Sequence, residues 1–296
     1  MERVAILLAV YNGRQWIDEQ LQSILEQKNV GLDVYISVDL SDDGSYEHLV
    51  TTYSHLPNIH ILDYGKRYGS AGSNFYRLVL DSPIDKYDYV SFCDQDDVWF
   101  DNKIQRAIKM IEQKHVDAYS GNVVAFWENG KECLISKSQP QVEYDFLFEA
   151  AGPGCTYVFK RSLACDFKQF LLNSTDAVNV ALHDWLLYSF SRVNNYTWYI
   201  DDVPFMKYRQ HASNQVGANN SIKAGFKRLK LAKCGWYKNE VNKLCVVLKF
   251  ENDPIVDMIK RNDFKRTLLM LLNITKFRRR FRDRLMLAVF ILLRWV

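Results

Sequence analysis

The feature that most restricts the fold is a rhythm in the first hundred residues. Apolar or β-branched runs alternate with amphipathic stretches, and several of these runs end in a polar cluster. Residues 4–10 are continuously apolar and stop at Tyr11-Asn12-Gly13, as a buried parallel strand does on entering a turn. Residues 14–27 set Trp16, Ile17, Gln20 with Leu21, Ile24 and Leu25 on one helical face. A second strand over 32–39 leads into Leu40-Ser41-Asp42-Asp43-Gly44-Ser45 and a helix-like stretch at 46–56. A third short strand at 58–65, a helix at 70–82 and a fourth strand at 87–94 follow, the last running into Asp94-Gln95-Asp96-Asp97. This alternation indicates an α/β fold with a mainly parallel central sheet and right-handed crossovers. Ligands bind such sheets outside the carboxyl ends of the strands, so Tyr11–Gly13, Asp39–Gly44 and Asp94–Asp97 are expected on one edge.

Beyond a helix beginning near Asp101 the pattern is less regular. Residues 116–127 read as one strand, 150–161 as Gly-rich and then strand-like, 176–193 as helical and 196–211 as strand-like. From about 221 the chain is basic and mostly helical in pattern, which divides it into a body at 1–220 and a helical region at 221–296. The 296 residues, 48% hydrophobic, are enough to bury a full core. Six scattered cysteines without a CxxC argue against a disulfide framework or a zinc site and suit a reducing compartment. Met1-Glu2-Arg3 before a short apolar run reads as the start of a strand, not a signal peptide. The net charge of +3 hides a division: residues 207–296 hold 21 Lys and Arg against 6 Asp and Glu, and residues 1–206 hold 17 against 29. A basic tail on an acidic body points to an anionic surface as partner. The acidic body does not suit nucleic acid.

Like charges leaving a strand together need a reason. Asp94, Asp96 and Asp97 can face one hard cation, Mg²⁺ or Mn²⁺, that is shared with a diphosphate. The plainer reading is a solvated turn, with Asp97 or Asp101 capping the next helix. Asp39, Asp42 and Asp43 follow the second strand, where an aspartate can accept from a pyrimidine N3–H; Asp-Asp-Gly is also a common turn. The stretch from Ala9 through Tyr11 and Asn12 offers backbone groups and an aromatic beside the same edge. Lys66 and Arg67, with small residues before a helix, suit phosphate or ribose, or a solvated loop. Asp184, among Leu182, Trp185 and Leu186, is a catalytic carboxylate or half of a structural pair. Arg209, Gln210, His211 and Asn214 cluster after a strand, where His211 can ligate metal and Arg209 can neutralise phosphate.

Taken in order, "AVYNG", "ISVDLSDDGS", "GSAGSNF", "FCDQDDVW", "GPGCTYVF", "HDW" and "YRQHASNQVG" cover roughly residues 3–217. The chain thereby resembles glycosyltransferase family 2, the inverting GT-A nucleotide-sugar transferases. The combination "DQDDVW…HDW…YRQH" is similar to its bacterial rhamnosyltransferase-type subgroup. The resemblance implies a GT-A, Rossmann-like domain over 1–220. It implies nucleotide contacts from Ala9, Tyr11, Asn12, Asp39, Lys66, Arg67, Asp94, Gln95 and Arg209. It also implies Mn²⁺ or Mg²⁺ on Asp96, His211 and Asp94, and Asp184 as general base. Leu40-Ser41 intervene between Asp39 and Asp42-Asp43-Gly44, so the base-reading residue is Asp39 or Asp42, with Asp39 favoured because it ends the strand. The implied reaction is a single displacement from dTDP-β-L-rhamnose, or alternatively from a UDP-hexose, to a hydroxyl of a lipid-linked or growing surface polysaccharide. A Rossmann dehydrogenase would need a G-x-G-x-x-G after the first strand, which is missing. An inactive transferase-like membrane scaffold or binding protein is the alternative of another class.

Residues 276–296 place Lys276, Arg278, Arg279, Arg280, Arg282 and Arg284 before nine apolar residues, Leu285 to Leu293. About 20 are needed to span a bilayer, so the segment suits a helix lying on an anionic leaflet, with Trp295 at the headgroups. A core-packed helix or an oligomer contact is the alternative, and a homo-oligomer stays open. The basic, amphipathic residues 222–241 agree with a cytoplasmic protein held peripherally on the inner face of the cell membrane.

Overall fold

The computed structural model describes residues 1–211, 229–260 and 263–296. The body/tail boundary at 220, Asn214 and the first part of the basic stretch 222–241 lie outside the described residues. Four parallel strands, β1 (Arg3–Val10), β2 (Gly31–Val38), β3 (Ile59–Ile61) and β4 (Tyr89–Asp94), carry α1 (Ile17–Leu25), α2 (Ser45–Tyr53) and α3 (Ala71–Asp81) between them. β1 alternates its side chains between two buried clusters, Val4, Ile6, Leu8 and Val10 in one and Ala5, Leu7 and Ala9 in the other. A strand covered on both faces reads as a continuous apolar run, which is why this one does.

The chain then adds β5 (Val98–Trp99), α4 (Lys103–Lys114), β6 (Ala118–Gly121), β7 (Val123–Phe126), β8 (Glu132–Ile135), β9 (Val158–Lys160) and α5 (Arg161–Asn173). It continues with α6 (His183–Val193), β10 (Trp198–Asp201) and β11 (Met206–Arg209). The seven-stranded sheet has the order β10-β6-β9-β4-β1-β2-β3, and only β9 runs against its neighbours. A second, four-stranded sheet has the order β5-β11-β7-β8.

Two single strands expected from the sequence are therefore each two strands in different sheets. The first breaks at Asn122, whose carboxamide donates to Asp202 O and accepts from the backbone of Lys137 and Ser138. The second breaks around Pro204, which has no N–H for a ladder. The helix expected over 176–193 begins only at His183, after a short 3₁₀ turn at Ala177–Asn179. Among the described residues the chain closes with the helices α7 (Trp236–Val247), α8 (Pro254–Lys260), α9 (Phe264–Leu272) and α10 (Phe281–Leu292). Leu244, Val256, Met270, Phe277, Leu287 and Ile291 join the same buried cluster as Phe75, Phe159 and Leu186. No helix among the described residues is long and apolar enough to cross a membrane.

Candidate active site

The parallel register sets Ala9 beside Asp94 on one side and Ser37 on the other, so three strands end together. The Gln95 carboxamide continues the β1–β4 pairing past its last rung. It accepts from Tyr11 N at 2.7 Å and donates to Tyr11 O at 2.9 Å. Gly13 lets that carboxamide in, because a Cβ there would lie 2.4 Å from Gln95 Oε1. Asn12, at φ +46°, ties the first turn to the second: its N–H donates to Ser41 Oγ and its Oδ1 accepts from Asp42 N. Ser45 Oγ and Asp43 Oδ2 accept from Gly13 N and Arg14 N at 2.9 Å.

Asp39 is brought to this edge, but its carboxylate is occupied. It is 3% exposed and accepts from the backbone N–H groups of Leu40, Tyr68 and Gly69 at 2.7–2.8 Å. It thereby pins the end of the loop that carries the exposed Lys66 and Arg67, while Asp42 is itself exposed.

The small sheet brings in the second group. His211, just after β11, sets Nε2 2.6 Å from Asp96 Oδ2 and stacks its ring on Trp16 with centroids 4.1 Å apart. Arg209 donates its backbone N–H to Asp97 Oδ1 at 3.1 Å and Nε–H to Asp96 O at 2.7 Å; its guanidinium also pairs with Glu19. Buried side chains of α1 support the same loop: Gln20 Oε1 accepts from Asp97 N at 3.0 Å and Ser23 Oγ from Trp99 N at 3.1 Å. Neither aspartate offered as a helix cap is one. The cap position is Asn102, without a side-chain bond, and Asp101 pairs with Lys28 at 2.5 Å.

Asp184 stands in the first turn of α6, where burial lifts its carboxyl to about 6 against the opposing pull of the Trp185 and Gly154 amides. No ion pair to it occurs among the described residues, so the structural-pair reading finds no support there. His183 beside it is buried and stacked on Phe75 with centroids 3.8 Å apart; burial lowers it to about 3 and keeps it neutral. Gly154 closes over both, since a Cβ on it would lie 3.0 Å from His183 Nε2 and from Asp184 Cβ. Asp94 is raised by burial first, then by the charges of Asp96 and Asp184, which puts all three carboxylates in one electrostatic site. Asp97 is likewise raised by burial and by Asp96 and Asp94.

These residues fit a divalent cation. Asp97 Oδ2 is buried and takes no N–H or O–H from any described residue. Asp94, Asp97 and Cys155 hold ligand atoms within 4.8 Å of one another. Burial pushes the Cys155 thiol well up, so it stays protonated. Among the described residues Asp96 and His211 are not in that group and pair with each other, so the carboxylate oxygens of Asp94 and Asp97 are the hard donors gathered for a divalent cation. The sequence reading missed Gln20, Ser23, Trp16 and Gly154. The one available signal was Gln20 standing on the otherwise apolar stripe of α1.

Residues 5–148 match the family described as Glycosyl transferase family 2. The dTDP-rhamnosyl transferase RfbG of Shigella flexneri is 43% identical over 290 residues, 97% of this chain and 99% of its own. The UDP-Glc:alpha-D-GlcNAc-diphosphoundecaprenol beta-1,3-glucosyltransferase WfgD of Escherichia coli is 25% identical over 167 residues, 55% of this chain and 62% of its own. Among solved structures, TarS 1-349 of S. aureus in complex with UDP-GlcNAc superposes with a TM-score of 0.54 at 14% identity, covering 92% of this chain and 79% of that one. The mannosyltransferase PcManGT from Pyrobaculum calidifontis, in complex with GDP-Man and Mn²⁺, gives a TM-score of 0.51 at 14% identity, covering 98% and 84%. These two likenesses are of fold.

Proposed function

Because this chain belongs to glycosyl transferase family 2, we propose that it transfers L-rhamnose from dTDP-β-L-rhamnose to a hydroxyl of a lipid-linked or growing surface-polysaccharide acceptor. It is a glycosyltransferase acting on a nucleotide-sugar donor. The observation that carries the rhamnosyl reading is the 43% identity, along nearly the whole of both chains, to a protein named for that activity. A relative named for a diphosphoundecaprenol acceptor supports the lipid-linked one.

In this reading Asp184 is the general base. Ionised above about 6, it takes the proton of the acceptor hydroxyl as that oxygen bonds to the anomeric carbon and the bond to the diphosphate breaks. One displacement inverts the centre, so a β donor gives an α linkage. Asp96, His211 and Asp94 would hold Mn²⁺ or Mg²⁺, which when bound offsets charge on the departing nucleoside diphosphate. Ala9, Tyr11, Asn12 and Gln95 form the wall beside the base, and Lys66 and Arg67 supply cations at the rim. Asp39 shapes the base site by holding the Tyr68–Gly69 turn, and Arg209 holds the Asp96–Asp97 loop. The catalytic unit is residues 1–220, with 221–296 as its helical extension. The protein acts in the cytoplasm, on the inner face of the membrane.

A UDP-hexose donor is the second reading, favoured by the relatives named for UDP-Glc. The test is release of nucleotide from dTDP-rhamnose and from UDP-glucose, with Mn²⁺ and a GlcNAc-diphospholipid acceptor. The first reading expects dTDP-rhamnose to be the faster by at least about tenfold. The reverse order overturns the donor and leaves the family intact.

A further inference from the structure

Past its first turn, which carries Arg282, Asp283 and Arg284, helix α10 has no polar face. Its inner side buries Leu287, Phe290 and Ile291, yet its outer side exposes Phe281 at 72%, Leu285 at 55%, Val289 at 46% and Leu292 at 60%. The neighbouring α9 repeats the pattern. Met270 is buried, while Phe264, Leu268 and Leu272, four residues apart, are 77%, 48% and 71% exposed. A helix apolar on every side is normally covered on every side, and a contiguous exposed apolar surface marks an interaction site.

Charge selects what covers it. The exposed cations flanking the stripes, Lys265, Arg282 and Arg294, would meet their own counterparts in a second copy of this face, whereas an anionic lipid surface is complementary. Most of the basic run is not available as an anchor, however. Lys276 pairs with Glu143 at 2.8 Å, and Arg278 and Arg279 pair with Glu149 at 3.6 and 3.4 Å. Arg280 and Arg284 donate to the backbone oxygens of Ser136 and Arg278. The exposed cations of the segment include Lys265 beside Phe264, Arg282 beside Phe281, 3.8 Å from Asp283 but largely in solvent, and Arg294 after Leu293. They rim the apolar stripes.

We propose that α9 and α10 form a two-helix platform lying in the interfacial layer of an anionic bilayer. The stripes Phe264–Leu268–Leu272 and Phe281–Leu285–Val289–Leu292 enter the acyl boundary, and Lys265, Arg282 and Arg294 meet lipid phosphates. This deepens the membrane reading above and rests on it, but not on the donor. The anchor is chiefly apolar, in contrast to the electrostatic one suggested by the basic run.

The experiment is co-sedimentation of the full chain with vesicles of phosphatidylcholine alone or mixed with phosphatidylglycerol, without nucleotide or acceptor, so its outcome is separate from that of the transfer assay. We expect binding to the mixed vesicles that high salt weakens but does not abolish. Leu285→Gln with Leu292→Gln, both solvent-facing, should lower the affinity at least about tenfold, and Phe264→Gln on the other helix should lower it as well. Arg282→Gln should cost only about fivefold, and Leu172→Gln, equally exposed on α5, should change nothing. Thermal unfolding of each variant shows that it is folded. Absence of vesicle binding overturns the proposal. So does binding unaffected by the leucine and Phe264 substitutions, or a wild-type dimer that those substitutions dissociate while vesicle binding persists.

Discussion

As the proposed general base, Asp184 would couple catalysis to stability through one carboxyl. Burial raises it to about 6, and a base works ionised, so kcat/KM should rise with pH through about 6 and level off above it, as a pH–rate profile of nucleotide release would record. The same shift has the opposite sign for folding. The native state holds this proton more tightly than the unfolded chain, so the stability linked to the group is full below the unfolded value of about 3.9. It is lost as pH rises through about 6. Asp184→Asn removes the titrating carboxyl and should therefore melt higher at neutral pH, by on the order of 1 kcal/mol, while turnover falls about 10²–10⁴-fold. Asp39 makes a contrasting case. Asp39→Ala leaves the Tyr68 and Gly69 N–H groups without their acceptor. A loss of about 1–3 kcal/mol in chemical denaturation should accompany weaker nucleotide binding by calorimetry. Unchanged stability would show that the carboxylate is not holding that loop.

Among the elements, α1 and the 3₁₀ turn around Gly154 are the ones through which packing reaches the chemistry. α1 offers polar side chains on its buried face, and Gln20 satisfies the backbone of Asp97. Gln20→Leu should cost about 1–3 kcal/mol and weaken Mn²⁺-dependent nucleotide binding, as thermal shifts with and without Mn²⁺ would record. Gly154→Ala inserts a methyl 3.0 Å from both His183 Nε2 and Asp184 Cβ. The proposed base must shift, so steady-state kinetics should give kcat lower by about tenfold or more with KM for the donor nearly unchanged. Such asymmetry would separate displacement of the base from damage to the nucleotide site.

Across the whole molecule the C-terminal helices are part of the core. Arg279, 5% exposed, lies 3.4 Å from both Asp145 and Glu149, and Arg192 pairs with Asp145 at 2.7 Å. Arg279→Met removes a cation shared by two buried carboxylates but leaves Arg192 on Asp145 and Arg278 on Glu149, so it should cost about 1–3 kcal/mol, readable as a lower denaturant midpoint. Truncation after residue 262 strips Met270, Phe277, Leu287 and Ile291 from the buried cluster, so the shortened chain should lose its cooperative melt. A soluble, cooperatively folded fragment would instead show that the helical extension is a separate unit.

How far sequence reaches is visible in particular residues. The apolar run of β1, the helix at 71–81 and the carboxylates closing β4 were legible because strand and helix periodicities are local, and a parallel sheet obliges its strand ends to share one edge. The meeting of Asp94, Asp96 and Asp184 followed from that edge together with the family resemblance. Tertiary structure alone decided the rest. The β-rich run at 116–127 splits between sheets where Asn122 finds Lys137, Ser138 and Asp202, and no local pattern encodes that hub. Asp39 turned inward because a loop 29 residues later offered it N–H groups. The basic run of the tail, which reads as a surface anchor, is largely spent on Asp145, Glu149 and backbone carbonyls. A charge in the sequence carries its sign, but only the folded chain supplies its partner.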